Sequence, residues 1–286
     1  MTVERIVPHG FCAGVAAALK KARKLADASP GRAFCLHEIV HNSLVVGELE
    51  NRGLGFVESL DDVPDGSPLL FSAHGVSPSI RAAAIARGME IVDATCPFVE
   101  RVHKAARQFA ASGRRVVVIG KAGHAEVKGI LGEAPGAVVA GSVEEAESLD
   151  LPSGTKIGVV CQTTVNSDDV RPVFDALAAR FDAVLSGGAC SATKERQDAV
   201  RAFDGDLLLV LGSPNSSNTR RLCEVARTKA VLADCMERVK EIDFSGVARL
   251  GVTSGASTPE TFFEEAVEYL ESLFASGDNR AGDGFL

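Results

Sequence analysis

The chain has 286 residues, a net charge of −8, 24% charged and 46% hydrophobic residues. That composition is of a globular protein able to bury a large core. It excludes the clustered basic surface that nucleic-acid binding needs, and no run of about 18 apolar residues is available to cross a membrane. The first residues lack a signal peptide's basic start and apolar stretch, so a reducing, cytoplasmic setting is expected.

Short apolar, β-branched runs alternate with amphipathic stretches along the chain. The pattern predicts a helix over 15–28, strands over 33–36 and 69–72, and a helix over 98–111. Strands follow over 115–119 and 156–161, then helices over 169–180 and 194–203, then strands over 207–211 and 249–253. Such alternation means an α/β fold around mostly parallel sheets, and strands apolar on both sides mean helices on both faces.

Three kinds of segment recur. One runs from a strand into a polar loop at 34–42, 117–124 and 209–218; a second does so at 71–77, 160–166 and 252–257; a third carries a cysteine at 10–14, 93–97 and 187–191. Three such units predict three small α/β domains, 13–96, 97–186 and 187–275, with strand 1–12 joining the third and 276–286 as a flexible tail. Ligands in parallel sheets bind beyond the carboxyl ends of the strands, so the simplest arrangement points the loops at a central cleft.

Seven cysteines and no Cys-x-x-Cys pair in a reducing compartment favour metal or catalytic use over disulfides. Cys12, Cys96 and Cys190 stand near predicted helix starts, Cys190 ahead of Thr193 as the N-cap, where the positive helix end favours a thiolate by roughly 0.5–1 kcal/mol. Cys35, Cys161, Cys223 and Cys235 fall in apolar strands or helix interiors and read as small buried hydrophobes. Three separated cysteines suit an iron–sulfur cluster with one iron left open, and a Cys/His zinc site fits the same residue types.

His41, His74 and His124 lie in strand-end loops, as do Ser216, Ser217, Asn218 and Ser257. Together they offer the donors of a compact anion site. Neither Gly-x-x-x-x-Gly-Lys-Ser/Thr nor Gly-x-Gly-x-x-Gly occurs, so a small phosphorylated metabolite is expected rather than a nucleotide. Glu126, two residues after His124, reads alone as a surface glutamate, but in a cleft it could deliver protons, with Thr163 holding or relaying.

Gly-Phe-Cys-Ala-Gly-Val, His-Glu-Ile-Val-His-Asn, Phe-Ser-Ala-His-Gly-Val-Ser, Asp-Ala-Thr-Cys-Pro, Ala-Gly-His-Ala-Glu-Val, Gln-Thr-Thr, Asn-Ser-Ser-Asn and Gly-Ala-Ser stand in this order from residue 10 to 257. The set resembles the LytB family of 4-hydroxy-3-methylbut-2-enyl diphosphate reductases. The resemblance implies a pseudo-threefold cloverleaf around a [4Fe–4S] cluster held by Cys12, Cys96 and Cys190. It implies that the substrate's C4 hydroxyl meets the open iron and leaves as water, giving isopentenyl and dimethylallyl diphosphate. By the same resemblance His41, His74, His124, Ser216, Ser217, Asn218 and Ser257 bind the diphosphate, Glu126 donates the proton and Thr163 contacts the substrate. A ferredoxin or flavodoxin would supply electrons. Two positions depart from the family pattern: Ser191 where tyrosine is usual, and His9 where arginine is common. Rival readings are a diverged paralogue, an open-iron hydro-lyase acting on another small phosphorylated substrate, and a non-enzymatic metal or redox sensor.

Overall fold

Three passes along the chain build three sheets. The computed structural model describes residues 2–275; the expected tail, 276–286, lies outside the described residues. The first pass runs β1 (Thr2–Arg5), α1 (Ala13–Ala28), β2 (Ala33–Leu36), α2 (Ser43–Asn51), β3 (Leu54–Val57), β4 (Pro68–Phe71), α3 (Pro78–Ala86) and β5 (Glu90–Asp93). The second runs α4 (Pro97–Ala111), β6 (Arg115–Ile119), α5 (Ala125–Leu131), β7 (Val138–Val139), α6 (Val143–Glu147), β8 (Lys156–Cys161), α7 (Ser167–Arg180) and β9 (Asp182–Ser186). The third runs α8 (Ser191–Ala202), β10 (Leu207–Leu211), α9 (Ser217–Val225), β11 (Lys229–Ala233), α10 (Met236–Lys240), β12 (Arg249–Ser254) and α11 (Glu260–Ala275).

The strands form three four-stranded sheets, β3-β2-β4-β5, β7-β6-β8-β9 and β11-β10-β12-β1. Every pairing is parallel. Strand order repeats as well. In each sheet the two central strands carry the two polar-loop segments, and one edge strand (β5, β9 or β1) leads into a cysteine. The third sheet takes that edge strand from the start of the chain, with Val3 beside Leu250.

Residues 2–12, 41–45 and 191–275 pack as one compact unit, holding the sheet of β1, β10, β11 and β12; residues 13–40 and 46–190 pack as another, holding the other two sheets. In the first unit β10 is buried along its whole length. Alternate side chains point to opposite faces: Leu207, Leu209 and Leu211 meet Phe263, Val267 and Leu270 of α11, while Leu208 and Val210 meet Val200, Phe203 and Leu222. In the second unit Val117 and Ile119 of β6 pack with Val173 and Leu177 of α7, and Val116 and Val118 pack with Val102, Ala106, Val127 and Ile130. These doubly covered strands are the ones whose unbroken apolar runs predicted them.

The predicted central strands fall within one residue of the observed ones, and the predicted helices begin one to three residues late. Three of those helices start with a residue that carries no apolar periodicity: Pro97, Ser167 and Ser191. Residue Thr193 is a correction. Helix α8 starts at Ser191, so Thr193 lies inside its first turn, buried, and is not the N-cap. Among the described residues no helix is long and apolar enough to cross a membrane.

Candidate active site

Each cysteine of the recurring segment stands directly before a helix: Cys12 before α1, Cys96 before α4 and Cys190 before α8. Cys96 is the N-cap of α4, with Pro97 at the first helical position, where a missing N–H costs nothing. The backbone around the three cysteines repeats too. The N–H of Cys12 donates to Ala256 O at 3.2 Å, that of Cys96 to Ala73 O at 3.0 Å, and that of Cys190 to Thr163 O at 3.0 Å. In each case the acceptor lies two residues beyond the neighbouring central strand, β12, β4 or β8. Three partly exposed thiols are therefore presented at positive helix ends by one backbone device used three times.

The remaining cysteines differ. Cys35 and Cys161 are fully buried; burial pushes the Cys35 thiol far above its ordinary range and Cys161 up to about 12. Cys223, inside α9, is pushed up to about 11, mainly by burial. Cys235 is not in a helix interior, as the sequence suggested, but caps α10. That helix has only five residues, too few to build up a strong dipole. Cys12, Cys96 and Cys190 each offer a soft, partly exposed thiol, the ligand chemistry that iron–sulfur clusters take.

Glu126 is buried, not on the surface. It lies in the first turn of α5, whose N-cap is His124, and His124 Nδ1 accepts the Glu126 N–H at 3.1 Å. Accepting at Nδ1 leaves the neutral ring's proton on Nε2, a donor suited to an anion. The Glu126 carboxylate reaches across to the loop after β8: Oε1 accepts the Thr163 N–H at 2.6 Å and Oε2 accepts the Thr163 hydroxyl at 3.0 Å. Burial raises the carboxyl to about 7, against the two Thr163 bonds, which lower it. Because the Thr163 carbonyl also takes the Cys190 N–H, one residue joins the carboxyl to a cysteine loop. In the same unit the His74 and His124 rings meet edge to face, their centroids 5.5 Å apart.

In the other unit, Ser216 caps α9 and its Oγ accepts the Thr219 N–H at 3.3 Å. Ser217 and Asn218 follow in the first turn of that helix. Ser257 lies beyond β12, the parallel neighbour of β10, so both loops leave the same sheet edge. The Asn218 carboxamide oxygen and nitrogen and the Ser257 hydroxyl are buried with no hydrogen-bond partner among the described residues. Buried polar groups are nearly always satisfied, so these orphans mark a place for a polar ligand. Gly212, at φ +137, lets the two loops close: a Cβ there would stand 2.5 Å from Thr258 Oγ1 and 2.9 Å from Thr219 Oγ1. His41 lies in this unit as well. Beside it the Asn42 side chain accepts the N–H groups of Leu44 and Val45 at 3.1 and 3.3 Å.

A family model described as LytB protein matches residues 3–271. The chain belongs to the LytB family. Its relatives include 4-hydroxy-3-methylbut-2-enyl diphosphate reductase 2 of Mycobacterium bovis, 43% identical over 94% of this chain and 86% of that one. The 4-hydroxy-3-methylbut-2-enyl diphosphate reductase of Pseudomonas fluorescens is 41% identical over 99% of this chain and 94% of its own. A solved structure of E-1-hydroxy-2-methyl-but-2-enyl-4-diphosphate reductase from Plasmodium falciparum superposes with a TM-score of 0.89 at 33% identity, covering 98% of this chain and 90% of that one. A second, titled as (E)-4-hydroxy-3-methyl-but-2-enyl diphosphate reductase, the terminal enzyme of the non-mevalonate pathway, has a TM-score of 0.68 at 30% identity, covering 95% and 100%.

Against the LytB pattern, the two departures have plain local settings. Ser191 is the exposed first residue of α8. His9 stacks on Phe263 with ring centroids 3.7 Å apart, and its Nδ1 hydrogen-bonds Glu260 Oε2 at 3.3 Å and lies 3.0 Å from Oε1, both residues on α11. Sequence reading overlooked the buried His103, whose Nδ1 meets Glu133 Oε1 at 2.8 Å. Its Nε2 lies against Gly75 and Gly129, where a Cβ would stand 3.1 and 3.2 Å away. The only signal available was a histidine at an apolar position of α4, which reads as core.

Proposed function

We propose that this chain reductively dehydroxylates 4-hydroxy-3-methylbut-2-enyl diphosphate, consuming two electrons and two protons and releasing water with isopentenyl or dimethylallyl diphosphate. The family assignment supports the substrate and the pathway. The observation that carries the chemistry is the buried Glu126–Thr163 pair. A carboxyl raised to about 7 by burial holds a proton at neutral pH and can give it up. A metal sensor has no use for such a group.

Family members use a metal cluster, and for this chain we propose a [4Fe–4S] cluster held by Cys12, Cys96 and Cys190. When bound, it supplies electrons singly and an iron without a protein ligand to act as a Lewis acid. The chain's own residues do the rest. Thr163 orients the substrate hydroxyl and passes the Glu126 proton to it. His41, His74, His124, Ser216, Ser217, Asn218 and Ser257 hold the diphosphate, the Asn218 and Ser257 orphans gaining their partners from its oxygens. Fixed donors on the diphosphate position the allylic carbon, which lowers the barrier by pre-arranging the reacting groups.

The same reading divides the chain into three domains, 13–96, 97–186 and 187–275, with 1–12 joining the third. It places the enzyme in the cytoplasm with a ferredoxin or flavodoxin as electron donor. Anaerobic incubation with the hydroxylated diphosphate and a low-potential reductant tests it. Isopentenyl and dimethylallyl diphosphate should accumulate over many turnovers; recovery of the substrate unchanged by iron-loaded protein would overturn the assignment.

A further inference from the structure

The loop that carries Cys12 is held from three sides. The Gly10 N–H donates to Ser254 Oγ at 2.7 Å, and the Cys12 N–H to Ala256 O; both bonds tie the loop to the end of β12. His9 ties it to α11 through Phe263 and Glu260. Gly10 adopts φ +67, the left-handed conformation that glycine takes most readily. The third side is Arg196 of α8, a buried guanidinium at 3% exposure. Its Nη2 donates to Gly10 O at 2.8 Å and lies 3.4 Å from His9 O, while Nη1 donates to Ala192 O at 3.1 Å.

Burying a guanidinium is costly, and the cost is offset only where its planar fork of donors meets well-placed acceptors. Here the fork spans successive carbonyls of the turn before Cys12 and a carbonyl in the first turn of its own helix. That helix begins at the residue after Cys190. We infer that Arg196 is a positioning residue for Cys12, fixing the turn that sets the thiol's direction and so holding it ready as a ligand. The inference rests on Cys12 binding the cluster. It adds that the ligand is pre-set by the protein before any metal arrives, and names the side chain responsible.

The test compares Arg196→Met and Arg196→Lys with the unaltered full-length chain. Each is stripped of metal with a chelator and alkylated under native conditions, and the rate at Cys12 is read against Cys96 in the same molecule by mass spectrometry. A second portion is reconstituted anaerobically and assayed for iron and sulfide. Losing a hydrogen bond from a charged donor should raise the Cys12-to-Cys96 rate ratio about tenfold or more in Arg196→Met. Arg196→Lys, which keeps the charge and one donor but not the fork, should fall between. Iron content should drop in the same order. An unchanged ratio, or equal acceleration at both cysteines, would overturn the inference. Should Arg196→Met fail to fold, Arg196→Lys alone carries the test, with a raised ratio expected and an unchanged one contradicting it. Because alkylation reads the metal-free chain, its result stands apart from whether the cluster reading is right.

Discussion

Glu126, the proposed proton donor, is where a single substitution probes the chemistry most sharply. Replacing it with glutamine keeps the size and much of the hydrogen bonding with Thr163 but removes the transferable proton. Turnover should fall about 10²–10⁴-fold, while diphosphate affinity, measured by calorimetry, should change little. The unaltered enzyme should also slow as pH rises through about 7, where the donor loses its proton. Stability carries the same signature. A carboxyl whose native pKa lies above its unfolded value binds protons more tightly when folded, so stability declines from about pH 4.5 to about 7 and is level above. A rise from 4.5 to about 7 corresponds to roughly 3 kcal/mol. Denaturation of Glu126→Gln at pH 5 and pH 8 should therefore show a smaller difference than the unaltered chain. From the sequence, Glu126 had no sign of burial. What brought it inside is the α5 cap at His124 and the loop after β8, contacts 37 positions apart that no local pattern encodes. The strand-end histidines and serines were legible because each sits one short loop beyond an apolar run.

At the scale of elements, the cysteine loop is a repeated part: edge strand, cysteine, helix start, and a carbonyl from the adjacent strand's loop. Its replacement series is clear-cut. Cys12→Ser, Cys96→Ser and Cys190→Ser should each lower iron and sulfide below the roughly four of each expected per chain, while Cys223→Ser, inside α9, should leave them unchanged. Packing of these elements is equally testable. Gly158 lies mid-strand in β8, and a Cβ there would stand 2.1 Å from Phe109 Cγ of α4. Gly158→Ala should destabilise by about 1–3 kcal/mol through overpacking, seen as a lower denaturation midpoint. The central strands were visible because their sequences run apolar, most continuously in β6 and β10, where both faces are covered. The strands β3, β5, β7, β9 and β11 were not, being mostly half-buried, so their sequences lack the continuous apolar run of a doubly covered strand. The Thr193 misreading has a similar origin: Ser191 and Ala192 lack periodicity, so the helix start looked later than it is.

Across the whole molecule, the threefold sequence repeat corresponds to three sheets of one topology, and the polar-loop and cysteine segments recur at the same strand ends in each. The sequence period was legible because chemistry marks it. That β1 completes the third sheet rests on pairing residues such as Thr2 and Arg249, from opposite ends of the chain. If one substrate engages all the proposed donors, inorganic diphosphate in crystals should accept hydrogen bonds of about 2.7–3.2 Å from His41, His74, His124, Ser216, Asn218 and Ser257. The most direct test of the central claim is an electron count. Iron-loaded chain is mixed anaerobically with the hydroxylated allylic diphosphate, titrated with a one-electron reductant, and the product quantified. Reductive dehydroxylation predicts two electrons consumed for each isopentenyl or dimethylallyl diphosphate formed; loss of the hydroxyl with no electrons consumed would contradict it.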